Sequence, residues 1–209
     1  MPMYDYLKPI DDGLPLRESG LWAKAKLDYL KRYIEVFETS MRKKWRRRNY
    51  IDLMAGPGKN QIRDTGEVLL GSPLLALTTQ HPFTGYYFVD KDSANIDALT
   101  ARSSASGFSL KVNTYLADCN IIVENIVTEL KTDEHQSLNL AFLDPEGIEL
   151  HWTTVSRLAS VKKMDLIINY PKGGLNRYMG RVVEAEYDTG VDRYFGGQEW
   201  RQIYREHQK

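Results

Sequence analysis

The sequence predicts an α/β protein of the Rossmann-like, doubly wound type, with a mainly parallel sheet and helices on both faces. Three observations lead there. Five short apolar runs alternate with helix-period segments between residues 50 and 169, the order that parallel pairing and right-handed crossovers require. Those runs are apolar throughout instead of alternating, as expected where both faces of a sheet are covered. Four of the five end in an Asp or a Gly-rich turn. Polar residues therefore collect at the carboxyl edge, outside which open α/β sheets bind their ligands.

Each element follows from local signals. Residues 1–21, rich in Pro, Gly and Asp, read as an irregular arm ahead of one domain over 22–209. In residues 22–41, Leu27, Leu30, Tyr33, Ile34, Phe37 and Met41 recur at spacings of three and four, which predicts a helix. It is expected to run on into Arg42, Lys43, Lys44, Trp45, Arg46, Arg47 and Arg48. Residues 50–54 predict a buried strand that stops at Ala55-Gly56-Pro57-Gly58. Residues 59–70 read as an insertion before the next helix, with Ser72 as its N-cap and Pro73 at its first position. Strands then follow at 86–89, 110–116, 138–143 and 164–169, with helices at 93–102, 121–130 and 153–159 between them. Beyond Arg177 only helix and loop remain, so the domain is expected to be C-terminally truncated and to lack the last strands.

Composition narrows the function classes. The 28 basic and 28 acidic residues cancel, so net charge names no partner. A lone cysteine, Cys119, excludes an internal disulfide and a Cys-rich zinc site. His81, His135, His151 and His207 are scattered without ligand spacing, and no metal is assigned. No run approaches the ~20 apolar residues of a membrane span, and the first residues lack the order of a signal peptide. A soluble, cytoplasmic protein with no membrane partner is expected.

The chemistry concentrates at the strand ends. A strand followed by Gly56-Pro57-Gly58 lets the backbone approach a ligand closely, because a side chain at either glycine would obstruct it. Pro57 and the missing third glycine depart from the dinucleotide fingerprint, and Lys59 is not part of a Gly-Lys-Ser/Thr phosphate loop. Asp90 closes the second strand, where an acidic residue binds ribose hydroxyls. Its distance from the glycines returns to the expected ~20 residues once the insertion is set aside. Asp118 closes the third strand and has two readings, an adenine-binding carboxylate or the cap of the helix after it. Cys119 beside it reads as a packing residue, since no base accompanies it. Asp144 and Glu146 leave the fourth strand at the same edge. There a carboxylate can orient a nucleophile, with Glu146 as an assisting base. The basic run 42–48 carries two readings: solvated cations at a helix C-terminus, or a nucleic-acid contact through Arg42, Lys43, Lys44, Arg46, Arg47 and Arg48.

The series of pieces resembles the three-Cys-motif partner family. It comprises Trp22-Ala23-Lys24-Ala25-Lys26-Leu27 with Tyr33; residues 50–58; Gly71-Ser72-Pro73-Leu74-Leu75-Ala76-Leu77; residues 142–147; residues 165–171; and Tyr194-Phe195-Gly196-Gly197-Gln198-Glu199-Trp200. The resemblance implies a class I methyltransferase-like fold of bacteria and phages, a bound S-adenosylmethionine, and association with a partner protein carrying three clustered cysteines. Members of the family usually end in a further antiparallel strand pair that this sequence does not show.

Together these readings predict an S-adenosylmethionine-dependent methyltransferase. Asp52, Ala55, Gly56, Pro57 and Gly58 would surround the methionine portion, Asp90 the ribose, and Asp118 with Cys119 the adenine. Asp144 and Glu146 would act on the acceptor, a nucleic-acid base or a protein. Two rivals accompany this expectation: a catalytically silent module that docks the three-Cys-motif partner, and a nicotinamide-dependent oxidoreductase.

Overall fold

The computed structural model describes residues 3–107, 111–132 and 136–207. Leu110 and His135 lie outside them. After a 3-10 helix at Met3–Leu7, the chain forms β1 (Arg17–Ser19), α1 (Trp22–Met41), β2 (Arg47–Asp52), β3 (Lys59–Ile62), β4 (Val68–Leu70) and α2 (Ser72–Leu77). It continues with β5 (Gly85–Asp90), α3 (Ser93–Ser104), β6 (Val112–Leu116), α4 (Cys119–Lys131), β7 (Ser137–Leu143), α5 (Trp152–Ala159) and β8 (Met164–Ile168). The helices α6 (Lys172–Val182), α7 (Gly190–Phe195) and α8 (Glu199–His207) complete it.

Five strands form one parallel sheet in the order β6-β5-β2-β7-β8. The chain starts at the central strand, works outward to one edge, then returns to the other side of β2. The reversal between β2 and β7 is a topological switch point, and the crevice above it is where such sheets hold ligands. This is the doubly wound architecture that the strand runs predict. No strand follows β8 among the described residues.

The period of two along each strand divides the core. Tyr50, Tyr86, Phe88, Leu140 and Phe142 face α1, α2 and α3, where Leu30, Ile34, Phe37, Leu74 and Leu99 complete one hydrophobic layer. Ile51, Val89, Ala141 and Leu143 face the opposite side, against Val123, Ile126, Leu158 and Leu175. The first layer is aromatic, with Phe83 5.4 Å from Tyr50 and 5.7 Å from Phe37, ring centre to ring centre. Aromatic pairs at such distances add about 1 kcal/mol each beyond their buried area. Two buried amides interrupt the apolar runs of β2 and β7. Asn49 and Asn139 are register partners on β2 and β7, and Asn49 Nδ2 donates to Asn139 Oδ1 at 2.8 Å. The pair satisfies itself inside the sheet.

The arm is more ordered than its composition predicts. β1 pairs in parallel with β3, and β3 with β4 in antiparallel, so the insertion 59–70 and the arm make a small second sheet. A buried ion cluster fastens it. Asp12 accepts from Arg102 Nε at 2.9 Å and Nη2 at 2.5 Å, and pairs with Lys59 Nζ at 2.7 Å, with all three side chains fully buried. Lys59 also donates to the carbonyls of Asp5 and Ile10, and Arg102 to those of Pro15 and Pro57. Nearly every donor of the two cations thus meets an oxygen, the condition for a buried charge to be tolerated.

The basic run differs from expectation as well. α1 stops at Met41, and Arg47 already belongs to β2. Arg48 is buried: its Nε donates to Glu38 Oε2 at 2.7 Å, Nη1 to Trp45 O and Nη2 to Pro82 O. It closes the lower end of the sheet against α1 and offers nothing to an outside ligand. Ser72 also shifts by one position, because Gly71 is the N-cap of α2 and Ser72 its first residue.

Candidate functional site

Above the carboxyl ends of β2, β5, β6 and β7 lies a cavity of about 290 Å3. Gly56, Asp90, Asp118, Cys119, Asp144 and Glu146 all line it. Residues separated by up to 90 positions thus meet at one place because every parallel strand ends at the same edge.

The turn after β2 is built around its two glycines. Both have positive φ, +61° at Gly56 and +91° at Gly58, a region that L side chains rarely occupy. Their roles differ. A Cβ at Gly58 would sit 3.0 Å from Leu99 Cδ1 and 3.2 Å from Leu74 Cγ, so Gly58 lets the turn pack onto α2 and α3. A Cβ at Gly56 would meet only the Arg17 side chain, at 3.7 Å, so Gly56 leaves the cavity wall open. Its N–H donates to Asp90 Oδ2 at 2.8 Å, tying the turn to the next strand.

Asp90 Oδ1 accepts from Asp92 N at 2.9 Å and from Asn95 Nδ2 at 3.2 Å. Each carboxylate oxygen has two lone-pair sites, so Oδ2 keeps one for a ligand hydroxyl. Asp118 is the N-cap of α4, its Oδ1 accepting from Asn120 N at 2.7 Å. The capping reading therefore holds, and its position on the cavity wall leaves the second oxygen for an amino group. Cys119 is buried, and burial, with Asp118 and Glu149 nearby, pushes its thiol up to about 12. It is a wall atom at neutral pH and no nucleophile.

Other predicted residues of the turn stand behind the wall. Asp52 is fully buried as the last residue of β2, with Oδ1 accepting from Met54 N at 3.3 Å. Burial above all, and then the Asp144 charge, push its carboxyl up to about 7 against the opposing pull of Ser72 and the Met54 N–H. Ala55 donates its N–H to Val89 O at 2.9 Å, and Pro57 O accepts from Arg102. These residues, with Gly58, shape the turn, while Leu53, Met54 and Gly56 present it to the cavity.

Asp144 is the most constrained carboxylate at the edge, only 6% exposed. Oδ1 accepts from Asn169 Nδ2 at 2.8 Å, and Oδ2 is bonded to Lys26 Nζ. Glu146 is exposed and pairs with Arg17 at 2.6 Å. Glu149 holds the turn between them, accepting from the N–H groups of Glu146 and Gly147. Arg17, Asp144 and Glu146 also line a second, neighbouring cavity of about 650 Å3 between β1, α1 and the start of α6. Lys26, Asn169, Arg17, Asn95 and Glu149 were not singled out from sequence. Asn169 ends the predicted fifth strand, and a rule treating every strand-end polar residue as a candidate finds it. Arg17 carries no such mark.

One solved structure shows the same fold, and a second is a weaker match. A Legionella pneumophila strain Philadelphia 1 protein of the DUF519 family superposes with a TM-score of 0.52 at 14% identity, over 74% of this chain and 72% of that one. A conserved hypothetical protein from Streptococcus pyogenes gives a TM-score of 0.40 at 13% identity, over 58% of this chain. The chain spans 66% of that protein's length. No family model matches the sequence, and no curated protein matches it. At 14% identity the likeness to the Legionella protein speaks for the α/β fold alone. No helix among the described residues is long and apolar enough to cross a membrane.

The electrostatics of the first cavity select among ligands. Its wall carries Asp90, Asp92, Asp118, Asp144, Glu146 and Glu149 against two cations, Arg17 and Lys91. Such a surface suits hydroxyls, amino groups and a positively charged ligand. It repels a pyrophosphate, the group that a nicotinamide dinucleotide would have to place beside the glycine turn.

Proposed function

We propose that the protein is an S-adenosylmethionine-dependent methyltransferase related to the three-Cys-motif partner proteins. The observation that carries this reading is the convergence of Gly56, Asp90 and Asp118 on one acidic cavity, with Asp144 at its far wall. The donor set fits the group. The bare backbone at Gly56, the spare lone pair of Asp90 Oδ2 and the second oxygen of Asp118 match a backbone-facing chain, a ribose hydroxyl and an adenine amino group in turn. S-adenosylmethionine held here supplies an electrophilic methyl group on a cationic sulfur.

The protein's own part is positioning and charge. Asp144 is fixed by Lys26 and Asn169, so its remaining lone pairs have set directions at the boundary of the two cavities. An acceptor N–H donating to one of them has its nitrogen lone pair turned toward the first cavity. Orientation of this kind accounts for several kcal/mol of a barrier where little acid–base chemistry is needed. Glu146, exposed and held by Arg17, stands where the acceptor's proton can be received after transfer. Asp144→Ala is expected to lower turnover by about a hundredfold or more, consistent with loss of orientation, while titrated S-adenosylmethionine affinity stays within a few-fold. Unchanged turnover would remove Asp144 from the mechanism.

A further inference from the structure

The second cavity has a character opposite to the first. Five cations, Arg17, Lys26, Arg63, Lys172 and Arg177, line it against Glu18, Asp144 and Glu146. Lys26 and Arg17 are engaged with Asp144 and Glu146. Arg63, Lys172 and Arg177 are exposed and make no ion pair among the described residues. They come from two elements, the β3–β4 hairpin loop and two successive turns of α6, and surround one opening. Two aromatic side chains share it: Trp22, 60% exposed, and Tyr170, 53% exposed. Lys26 Nζ lies 4.5 Å from the centre of the Trp22 ring, and the ring stays largely exposed beside it.

We propose that this cavity seats one nucleotide of a single-stranded nucleic acid. Its base stacks on Trp22 or Tyr170 with an edge toward Asp144, and the flanking phosphates meet Arg63, Lys172 and Arg177. Unpaired cations around an aromatic-lined opening are what a backbone with a base between its phosphates requires. A duplex cannot deliver a base into a cavity without unstacking it. The basic run 42–48 is not this surface. It sits at the amino end of β2, one strand length, roughly 20 Å, from the edge where both cavities open. The proposal rests on the methyltransferase reading for the role of Asp144 alone; the nucleic-acid contacts stand without it.

The test is fluorescence anisotropy with labelled single strands of roughly 12 nucleotides, DNA and RNA of mixed sequence, and the matching duplexes. Single strands should bind more tightly than duplexes. Arg63→Glu combined with Lys172→Glu and Arg177→Glu should weaken binding at least about tenfold and flatten the slope of log affinity against log salt by about 2. Trp22→Ala should weaken it by about tenfold. Titration of S-adenosylmethionine into the triple variant should match the wild type, since none of the three lines the first cavity. Wild-type affinity in the triple variant would overturn the proposal, as would failure of every strand to bind. Loss of binding only on reversing Lys43, Lys44 and Arg46 would also overturn it. Strand binding as described with no S-adenosylmethionine binding would sink the cofactor reading and leave this one standing.

Discussion

Replacing Asp12 by Asn removes one charge and nearly no volume, yet it strands two buried cations. Lys59 keeps two carbonyls, and Arg102 keeps those of Pro15 and Pro57. Neither keeps a counter-charge. Breaking a buried pair from one side costs about 3–5 kcal/mol. The titration of Asp12 gives a second route to the size. Burial tends to raise its carboxyl, but Arg102 and Lys59 hold it down at about 2. A displacement of nearly two units from the ordinary value is worth about 2 kcal/mol of stability at neutral pH. Loss of about 3 kcal/mol is therefore expected, a large share of the 5–15 kcal/mol typical of a domain. Because the folded value is depressed, this stabilisation is present above about pH 4 and lost as pH falls through about 2. Urea unfolding followed by circular dichroism should show a midpoint lowered by about 1–2 M at unchanged slope. The gap between wild type and variant should close below pH 4. A loss under about 1 kcal/mol at pH 7 would refute the reasoning, since the cations would then have found another partner.

Asp52 should behave in the opposite sense. Its folded carboxyl is raised to about 7, so the native state holds the proton while the unfolded chain has released it, and stability falls as pH rises from about 4 to 7. Asp52→Asn should leave the melting temperature near wild type below about pH 4 and raise it at pH 8. Parallel melting curves at both pH values would show that the charge is compensated. The two glycines of the turn should separate in thermal melts. Gly58→Ala combines a positive φ with contacts at 3.0 and 3.2 Å and is expected to cost about 2–3 kcal/mol. Gly56→Ala meets only the Arg17 side chain at an ordinary contact distance and is expected to cost about 1 kcal/mol. Equal losses would contradict the packing role of Gly58.

Much of this arrangement was legible in the sequence because it is local. α1 spans residues 22–41, as its periodicity predicts, and Asp90, Asp118 and Asp144 reach one cavity because each stands at or just beyond the carboxyl end of a strand, at the same sheet edge. Asp52 is the exception that shows the limit. The chain runs on through Leu53, Met54 and Ala55 before it turns, so these residues roof it over and it reaches no cavity. The arm was illegible for another reason. Asp12 and Arg102 meet across 90 positions, and neither neighbourhood in the sequence says which charge the other will find. Without that pairing Arg17 has no predicted place, and with it the second cavity goes unseen. The run 42–48 misled by being continuous: strand β2 begins inside it, and Glu38, buried on α1, draws Arg48 inward.

The central claim is that the acidic cavity beside Gly56 holds S-adenosylmethionine. Isothermal titration of the protein with S-adenosylmethionine and S-adenosylhomocysteine tests it most directly, with Asp90→Ala as the comparison. Saturable binding of both at one site per chain, weakened about tenfold or more in the variant, is the predicted result; one lost charge-assisted hydrogen bond accounts for that factor. No heat from either ligand with the folded wild-type protein would contradict it.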